Sequence, residues 1–448
     1  EKWDAIMAQL PTYLDNDGLA KYFPTQNLHG DVVLTAYLLA MADEARKLGI
    51  VNGIPDAYQQ QMLEGLSKYV TGKLRRNTWA PINDNVERRL LVLEALSRHG
   101  RVTPSLLSSV KLDSQNWSTA ALIDWMNILR RVKGLPNQEQ TLSRIREAII
   151  ARMDRQGTAM VFADTTRNSS WWLMLNHEAN MARLLLSVIN DKAWEKDIPH
   201  MLQGLLQMQK EGAWSTTTAN LWGTLAVHQF TRKFEKVPAK GSVQMTLAPQ
   251  SGEAQVWENL NLEQKVFSPW AGSGAETLSL QMQGQGRVWA TVNALAAVPL
   301  TQPAYAGYVL EKTVTPVSQA VPGSWTQGDI YRVRLLVKAK SAMNWVVISD
   351  PVPAGATILG SGLGRDSMIA TQGEENSYWR GPGFVERHPD TYQAYYEYMP
   401  AGESVMEYTV RLNTPGQFVQ PPSRVQAMYA PHVYGELPNT ALFEVKGQ

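Results

Sequence analysis

The residues that most often carry acid–base or metal chemistry are thinly spread in this chain. None of its seven histidines has a second histidine at a metal-ligand spacing. His177 and Glu178 begin like the helical zinc-protease motif, but Met181 occupies the position of the second ligand. We interpret His177 as an ordinary polar residue. His228 lies in an apolar stretch and could act as a base, although a histidine without a positioned partner is more often packed or at a rim.

Paired carboxylates could supply the acid and base of a glycoside hydrolase. The candidate pairs are Asp15 with Asp17, Asp43 with Glu44, and Glu374 with Glu375. We interpret them as a turn former, a solvated helix surface and a loop, respectively. The glycine-rich run at 360–364 lacks the Lys-Ser/Thr of a phosphate-binding loop and is also interpreted as a loop. The sequence therefore predicts no catalytic residue, no metal site and no cofactor.

The chain contains 15 tryptophans, several of them where a loop meets a predicted helix. These are Trp79, Trp117, Trp171, Trp172, Trp214 and Trp222. An indole ring in this position can close the end of a helical hairpin core, which we consider its main role. A sugar-stacking platform would use the same residues, so the sequence leaves that alternative open.

Composition restricts the class of protein. The 448 residues include 42 Lys and Arg against 41 Asp and Glu, a net charge of +1, which argues against a nucleic-acid partner. The absence of cysteine excludes disulfides and thiolate chemistry within these residues but is compatible with a periplasmic location. Apolar runs such as 36–42 are much shorter than the roughly 20 residues of a membrane-spanning helix. The first residue is Glu1 and no leader follows it, so we expect a piece of a longer chain.

Two kinds of periodicity divide the chain near residue 235. Upstream, apolar residues recur at helical spacing, as in Val33, Ala36, Tyr37 and Ala40. The stripes are separated by glycine turns, which predicts a ring or solenoid of helical hairpins. Downstream the period is two residues, as at 331–337 and 406–412, with Pro and Gly clusters between the runs. This pattern is typical of antiparallel β-sandwiches.

The C-terminal motifs carry a family resemblance. They are Asp350-Pro351-Val352-Pro353-Ala354-Gly355, the 395–402 and 408–411 segments, Thr414-Pro415-Gly416-Gln417-Phe418, and Gln426-Ala427-Met428-Tyr429-Ala430-Pro431. This series resembles the C-terminal macroglobulin domain of bacterial α2-macroglobulins. The segments at 30–37 and 212–226 resemble the helical thioester-type domain of the same family.

The resemblance implies a domain order. Residues 1–235 would form the helical thioester-type domain, an α/α toroid whose N-terminal part is missing. Residues 236–303 would form a CUB-like β segment, and residues 304–448 the C-terminal macroglobulin-type β-sandwich. The predicted fold class is therefore an α/α toroid followed by antiparallel β-sandwich domains.

The resemblance also implies a function. The expected protein is a non-enzymatic protease inhibitor that cages attacking proteases by a conformational change. It would be periplasmic, tethered to the inner membrane through an anchor outside these residues, with target proteases and cell-wall synthesis proteins as partners. Two alternatives stay open: a carbohydrate-active toroid enzyme with an accessory β-sandwich, and an envelope scaffold without inhibitory activity.

Met428 and Tyr429 are the two functional positions that the resemblance transfers to this chain. In thioester-bearing relatives, a Met-Tyr pair at this place covers the reactive Cys-Gln thioester and excludes water. This chain has no cysteine, so either the thioester lies upstream of residue 1 or the chain belongs to the class without one. Ordinary interdomain packing is the alternative role for both residues.

Overall fold

The computed structural model describes residues 2–109, 117–163, 170–248, 255–258, 277–286, 288, 298–360, 381–439 and 441–447. The first half of the chain is helical up to Phe234. The α-helices are α1 (Lys2–Tyr13), α2 (Val32–Lys47), α3 (Asp56–Val70), α4 (Asn85–Arg98), α5 (Pro104–Ser109), α6 (Thr119–Arg131), α7 (Gln138–Ile150), α8 (His177–Val188), α9 (Ile198–Gln207) and α10 (Thr217–Phe234). Short 3₁₀ turns at Trp171–Leu173 and Lys192–Trp194 precede α8 and α9.

Five of these helices form a closed inner ring. Helix α2 packs on α4, α4 on α6, α6 on α8, α8 on α10, and α10 returns to α2. The outer helices α3, α7 and α9 pack against this ring. The inner helices are buried on most sides because both the ring interior and the outer layer cover them, as for Val32 to Ala45 in α2.

Side-chain caps start most of the inner helices at one end of the ring. Asp31 accepts a hydrogen bond from the Leu34 amide, and Thr216 accepts one from the Ala219 amide. Ser118 and Asn176 cap α6 and α8 in the same manner. Such caps satisfy amides that have no partner within the helix, so the sequence itself fixes where these helices begin.

The rest of the described chain is β-structure. The strands are β1 (Met153–Gln156), β2 (Ala159–Phe162), β3 (Lys240–Ala248), β4 (Gln255–Trp257), β5 (Thr277–Gln285), β6 (Ala304–Ala306), β7 (Tyr308–Ser318), β8 (Ile330–Ala339), β9 (Met343–Pro351), β10 (Thr357–Ile358), β11 (Phe384–Arg387), β12 (Thr391–Met399), β13 (Gly402–Arg411), β14 (Gly416–Phe418), β15 (Ser423–Ala427), β16 (Ala430–Leu437) and β17 (Phe443–Val445). Among the described residues of the helical half, β1 and β2 are the only strands, and they form a hairpin that the sequence periodicity missed.

Two sheets enclose the C-terminal core. One has the strand order β10-β13-β8-β7 and the other β11-β12-β9-β15-β16-β6. Neighbouring strands in both are antiparallel, and burial alternates along β8, as expected for a sheet with one covered face. A separate three-stranded sheet, β4-β3-β5, lies between the helices and this sandwich in sequence.

The predicted fold class, helices followed by antiparallel β-sheets, is confirmed. The helical stripe at Val33 to Ala40 lies in α2, and the alternating run at 331–337 lies in β8. Glu374, Glu375 and most of the 360–364 loop lie outside the described residues. The ranges of the three domains remain predictions.

Candidate functional site

Met428 and Tyr429 form the two-residue turn between β15 and β16, so they stand at the tip of a hairpin. The Met428 amide donates a hydrogen bond to the Trp345 carbonyl at 2.8 Å, which ties the tip to β9. The Tyr429 side chain packs against the hydrophobic core of the helical ring rather than against the core of its own sandwich. The tip therefore joins the two halves of the molecule.

Tyr22, in the loop before α2, is the residue of the helical half that contacts the hairpin tip. Its ring lies against Trp345 with 3.5 Å between the ring centroids. Its hydroxyl donates to Met174 Sδ and also lies within hydrogen-bonding reach of the Tyr429 hydroxyl. Burial raises the pKa of Tyr22 well above its ordinary value and the pKa of Tyr429 to about 12. Both phenols are therefore neutral at physiological pH.

Two residues at the same contact have a strained backbone. Met174 and Trp345 have φ angles of 57° and 54°, in the left-handed region that side chains other than glycine rarely occupy. Both residues touch Tyr22, from the helical side and the β side respectively. Strain of this kind costs of order 1–3 kcal/mol per residue and persists only where the surroundings hold it in place.

Further aromatic pairs extend the interface. Phe23 stacks on Phe384 at 4.4 Å between ring centroids, and Trp79 lies 5.4 Å from Tyr398. Asn344, which is buried, donates from Nδ2 to the Trp79 carbonyl at 2.8 Å. This interface covers the end of the ring where the inner helices begin, because Trp79 and Met174 precede α4 and α8, and Tyr22 lies near the α2 cap Asp31.

The opposite end of the ring holds a charged cavity of 210 Å³, here called the ring cavity. Its wall is drawn from all five inner helices. The lining residues are Glu44, Lys47, Glu94, Arg98, Asn127, Arg130, Arg131, Arg183, Leu186, Ser187 and Trp222. On α2, α4 and α6 these residues belong to the last turns, so the cavity lies where those helices end.

Ion pairs hold the wall of the ring cavity together. Arg98 bonds Glu44 at 2.7 Å and Glu94 at 2.9 Å, and Arg131 bonds Glu94 at 2.8 Å. Burial alone would raise the pKa of Glu94, but Arg98 and Arg131 outweigh it and hold that pKa well below its usual range. A carboxylate held ionised in this way cannot be the general acid of a glycoside hydrolase.

A second buried pair lies beside the cavity, where Arg183 of α8 bonds Asp124 of α6. Burial raises the pKa of Asp124 to about 7, although Arg183 opposes that shift. Both side chains are almost fully buried. Neither Asp124 nor Arg183 was named from the sequence. A charged residue within an apolar helical stripe does not indicate which distant residue it will pair with.

The structure corrects one interpretation of the carboxylate pairs. Asp43 is not on a solvated surface: it is 3% exposed and bonds Lys47 at 2.6 Å, Arg46 at 3.0 Å and Arg98 at 3.4 Å. The sequence showed the two cations that follow it on α2, but Arg98 arrives from α4. The charged residues of α2 therefore resembled a solvated surface in the sequence, although Asp43 belongs to the contact between α2 and α4.

The other candidates lie apart from both sites or serve local structure. Asp15 accepts hydrogen bonds from the amides of Leu19 and Gly30 and pairs with Arg76, so it is a turn former. His177 begins α8, where burial lowers its pKa, and His228 is exposed on α10.

The tryptophans divide between two roles. Trp214 and Trp222 are core residues of the helical ring. Trp79 and Trp171 reach the interface, where Trp171 packs against the core of the β-sandwich and Trp79 against Tyr398. Trp117 lies edge-on to Trp125, and Trp172 edge-on to Trp171.

No cluster of three or more His, Asp or Glu side chains suited to a metal ion occurs among the described residues. Within the same ranges, no helix combines the length and apolar character needed to cross a bilayer.

Comparisons with known proteins agree with the fold. The family model for the bacterial alpha-2-macroglobulin MG10 domain matches residues 307–432. An alpha-2-macroglobulin homolog of Nostoc sp. is 24% identical over 379 residues, which cover 80% of this chain and 19% of that protein. Alpha-2-macroglobulin of Escherichia coli is 26% identical over 288 residues, 60% of this chain and 16% of that protein.

The native conformation of E. coli alpha-2-macroglobulin, solved by cryo-electron microscopy, superposes on 99% of this chain and 27% of that one. The TM-score is 0.67 at 16% sequence identity, which shows a shared fold. The MG10 family model, the two curated relatives and the solved structures all indicate a C-terminal fragment of the bacterial alpha-2-macroglobulin family. It spans less than a fifth of the length of the two curated relatives.

Proposed function

We propose that this chain is the C-terminal part of a bacterial α2-macroglobulin that inhibits proteases by trapping them, and that it performs no turnover itself. Membership in the family supports the class of function. The observation that carries the mechanism is the docking of the 428–429 hairpin tip on the helical ring, against Tyr22 and the strained Trp345. A trap needs domains that are held in one arrangement and can be released into another.

The hairpin tip is suited to this role. A two-residue turn between β15 and β16 places Met428 and Tyr429 at the tip of a hairpin. Strain at Met174 and Trp345 is relieved when the two halves part, which lowers the cost of separation. We therefore assign Met428 and Tyr429 as the interdomain lid, with Tyr22 as its receiving residue.

The remaining features of the proposal follow from the family resemblance. The protein would act in the periplasm, tethered to the inner membrane through residues outside this chain. Attacking proteases would be its targets, and cell-wall synthesis proteins a further class of partner. The ion-paired carboxylates of the ring cavity give no support to the carbohydrate-active alternative.

Incubation of the natural protein that contains these residues with several proteases tests the proposal. We expect limited cleavage, a compact form in small-angle scattering, and protease that co-elutes with the cleaved chain. Loss of retention after methylamine treatment would place a thioester upstream, while retention that resists methylamine would indicate trapping without one. Cleavage with neither compaction nor retention would contradict the trap and favour the envelope scaffold.

A further inference from the structure

The ring cavity contains two buried hydrogen-bond donors with no acceptor among the described residues. They are Nη1 of Arg183 and Nε1 of Trp222. Both residues line the cavity, and they are only 6% and 2% exposed. They are neighbours, since the Arg183 guanidinium lies 5.9 Å from the centroid of the Trp222 ring. Buried polar groups are nearly always hydrogen-bonded, so two adjacent unsatisfied donors indicate a missing acceptor.

The charge of the wall indicates which acceptor it is. Five cationic side chains line the cavity (Lys47, Arg98, Arg130, Arg131 and Arg183) against two carboxylates, Glu44 and Glu94. Further carboxylates pair with some of these cations, as Asp124 does with Arg183 and Asp191 with Arg130, but they are not part of the wall. Asp43, likewise outside the wall, pairs with Lys47 and Arg98. The wall itself therefore carries more cations than carboxylates.

The cationic side chains that line the cavity differ in how much of their surface is exposed to solvent. The side chains of Lys47, Arg130 and Arg131 are 46%, 27% and 25% exposed, whereas Arg98 is 6% exposed. Solvent-accessible cations thus surround an entrance, and the unsatisfied donors lie further in. This order suits an anion that is attracted by the exposed charges and bound at the buried end.

We infer that the ring cavity is a binding site for a small oxyanion of the phosphate or sulfate type. The oxyanion accepts hydrogen bonds from Arg183 Nη1 and Trp222 Nε1, and the other cations of the wall balance its charge. Guanidinium groups match tetrahedral oxyanions because their N–H groups form a planar fork. A water needs roughly 10–15 Å³ of such space, so 210 Å³ holds an oxyanion with several waters.

This site is independent of the lid. The lid covers the end of the ring where the inner helices begin, and neither Met428 nor Tyr429 lines the cavity, which extends to the last turns of α2, α4 and α6. The inference therefore concerns a ligand of the helical domain and does not depend on trapping.

Calorimetric titration of the 448-residue chain with inorganic phosphate, and separately with sulfate, tests the site at constant ionic strength. We expect saturable binding of at least one oxyanion with a stoichiometry of one. The preference between the two identifies the ligand class. Equal heats from sodium chloride, or no saturable binding of either oxyanion, would overturn the inference and leave water as the acceptor.

Two tryptophan variants give a matched comparison. Trp222→Phe keeps an aromatic ring but removes the unsatisfied donor, and we expect the affinity to fall about tenfold, the loss of one charge-assisted hydrogen bond. Trp214→Phe removes an indole donor that is already bonded to the Leu205 carbonyl, so the affinity should not change. Equal affinities of the wild type and Trp222→Phe would contradict the assignment of Trp222.

Arginine variants test the charge of the wall. Arg130→Gln, at the entrance, should weaken binding with little effect on folding, because Arg130 and its partner Asp191 are both partly exposed. Arg155→Gln is the control, since Arg155 is an exposed residue of β1 whose partner is Asp197, and neither lines the cavity. The two variants should differ in affinity but not in unfolding temperature without ligand. Identical affinities would argue against an oxyanion at this place.

Discussion

The two ends of the helical ring differ in their side chains and in their exposure, although the same five helices form both. The end where the helices begin is covered by aromatic residues of the β-sandwich and contains strained backbone at Met174 and Trp345. The end where they finish is open, charged and built from ion pairs. Cations near helix C-termini are favourable because the helix dipole is negative there. Ion pairs between helices therefore hold the open end, and aromatic contacts with the sandwich hold the covered end.

The largest effect is expected at the open end, for Asp124→Ala. This change leaves Arg183 buried without its carboxylate, which destabilises proteins by about 3–5 kcal/mol. Urea unfolding monitored by circular dichroism should show that loss in the helical signal. The hairpin tip should remain docked in whatever fraction of molecules is folded.

The double variant Asp124→Leu with Arg183→Met is the control for that prediction. Replacing both partners of a buried pair by apolar side chains of similar size is often neutral or stabilising. The double variant should therefore recover most of the stability that Asp124→Ala loses. If both variants were equally unstable, packing rather than charge would explain the effect.

A smaller effect is expected at the covered end, for Tyr429→Ala. The half-buried ring leaves the helical core and the contact with Tyr22 is lost, which we expect to weaken docking by about 2 kcal/mol. Limited proteolysis and small-angle scattering should show a looser arrangement, while the helical content stays unchanged.

Tyr305→Ala is a matched control, because Tyr305 is an exposed residue of β6 that forms none of the described aromatic contacts of the interface. It should leave both measurements as in the wild type. Unchanged protease sensitivity and scattering for Tyr429→Ala would mean that the tip does not hold the two halves together.

The contrast between the ends also explains what the sequence could predict. Periodicity located α2 and β8, because one covered face imposes a repeat of 3.6 or 2 residues. It could not predict the left-handed backbone of Trp345, which lies in a strand pattern, or the meeting of Asp124 with Arg183 across 59 positions. Contacts between distant residues depend on how the ring closes, which no local pattern encodes.

A polar contact at the interface gives the third prediction. Asn344→Ala removes the hydrogen bond from Nδ2 to the Trp79 carbonyl and leaves that carbonyl without this donor, at a cost of about 1 kcal/mol. We expect a small increase in hydrogen exchange in the loop before α4 and none at the ring cavity. Gln327→Ala is a suitable control, because the Gln327 side chain is exposed and bonds Asn413 within the sandwich. Equal exchange in the two variants would show that the Asn344 bond does not contribute to docking.

The fourth prediction concerns pH and tests whether docking buries the Tyr429 hydroxyl. The pKa of Tyr429 is about 12 when docked, against about 10 for a free tyrosine. Between these values the undocked state releases a proton that the docked state keeps. Docking is therefore fully favoured below pH 10 and weakens above it, by up to about 1.4 kcal/mol per pH unit.

Fluorescence energy transfer can follow this change, because a cysteine-free chain accepts labels at chosen sites. Lys73→Cys on the helical side and Glu403→Cys on the sandwich are exposed positions for the two dyes. In the labelled chain, Tyr429→Phe should lower the number of protons released on undocking by about one between pH 10 and 11. The reason is that phenylalanine has no proton to release. Tyr305→Phe should leave it unchanged, whereas equal slopes in all three proteins would mean that the Tyr429 hydroxyl is not buried by docking.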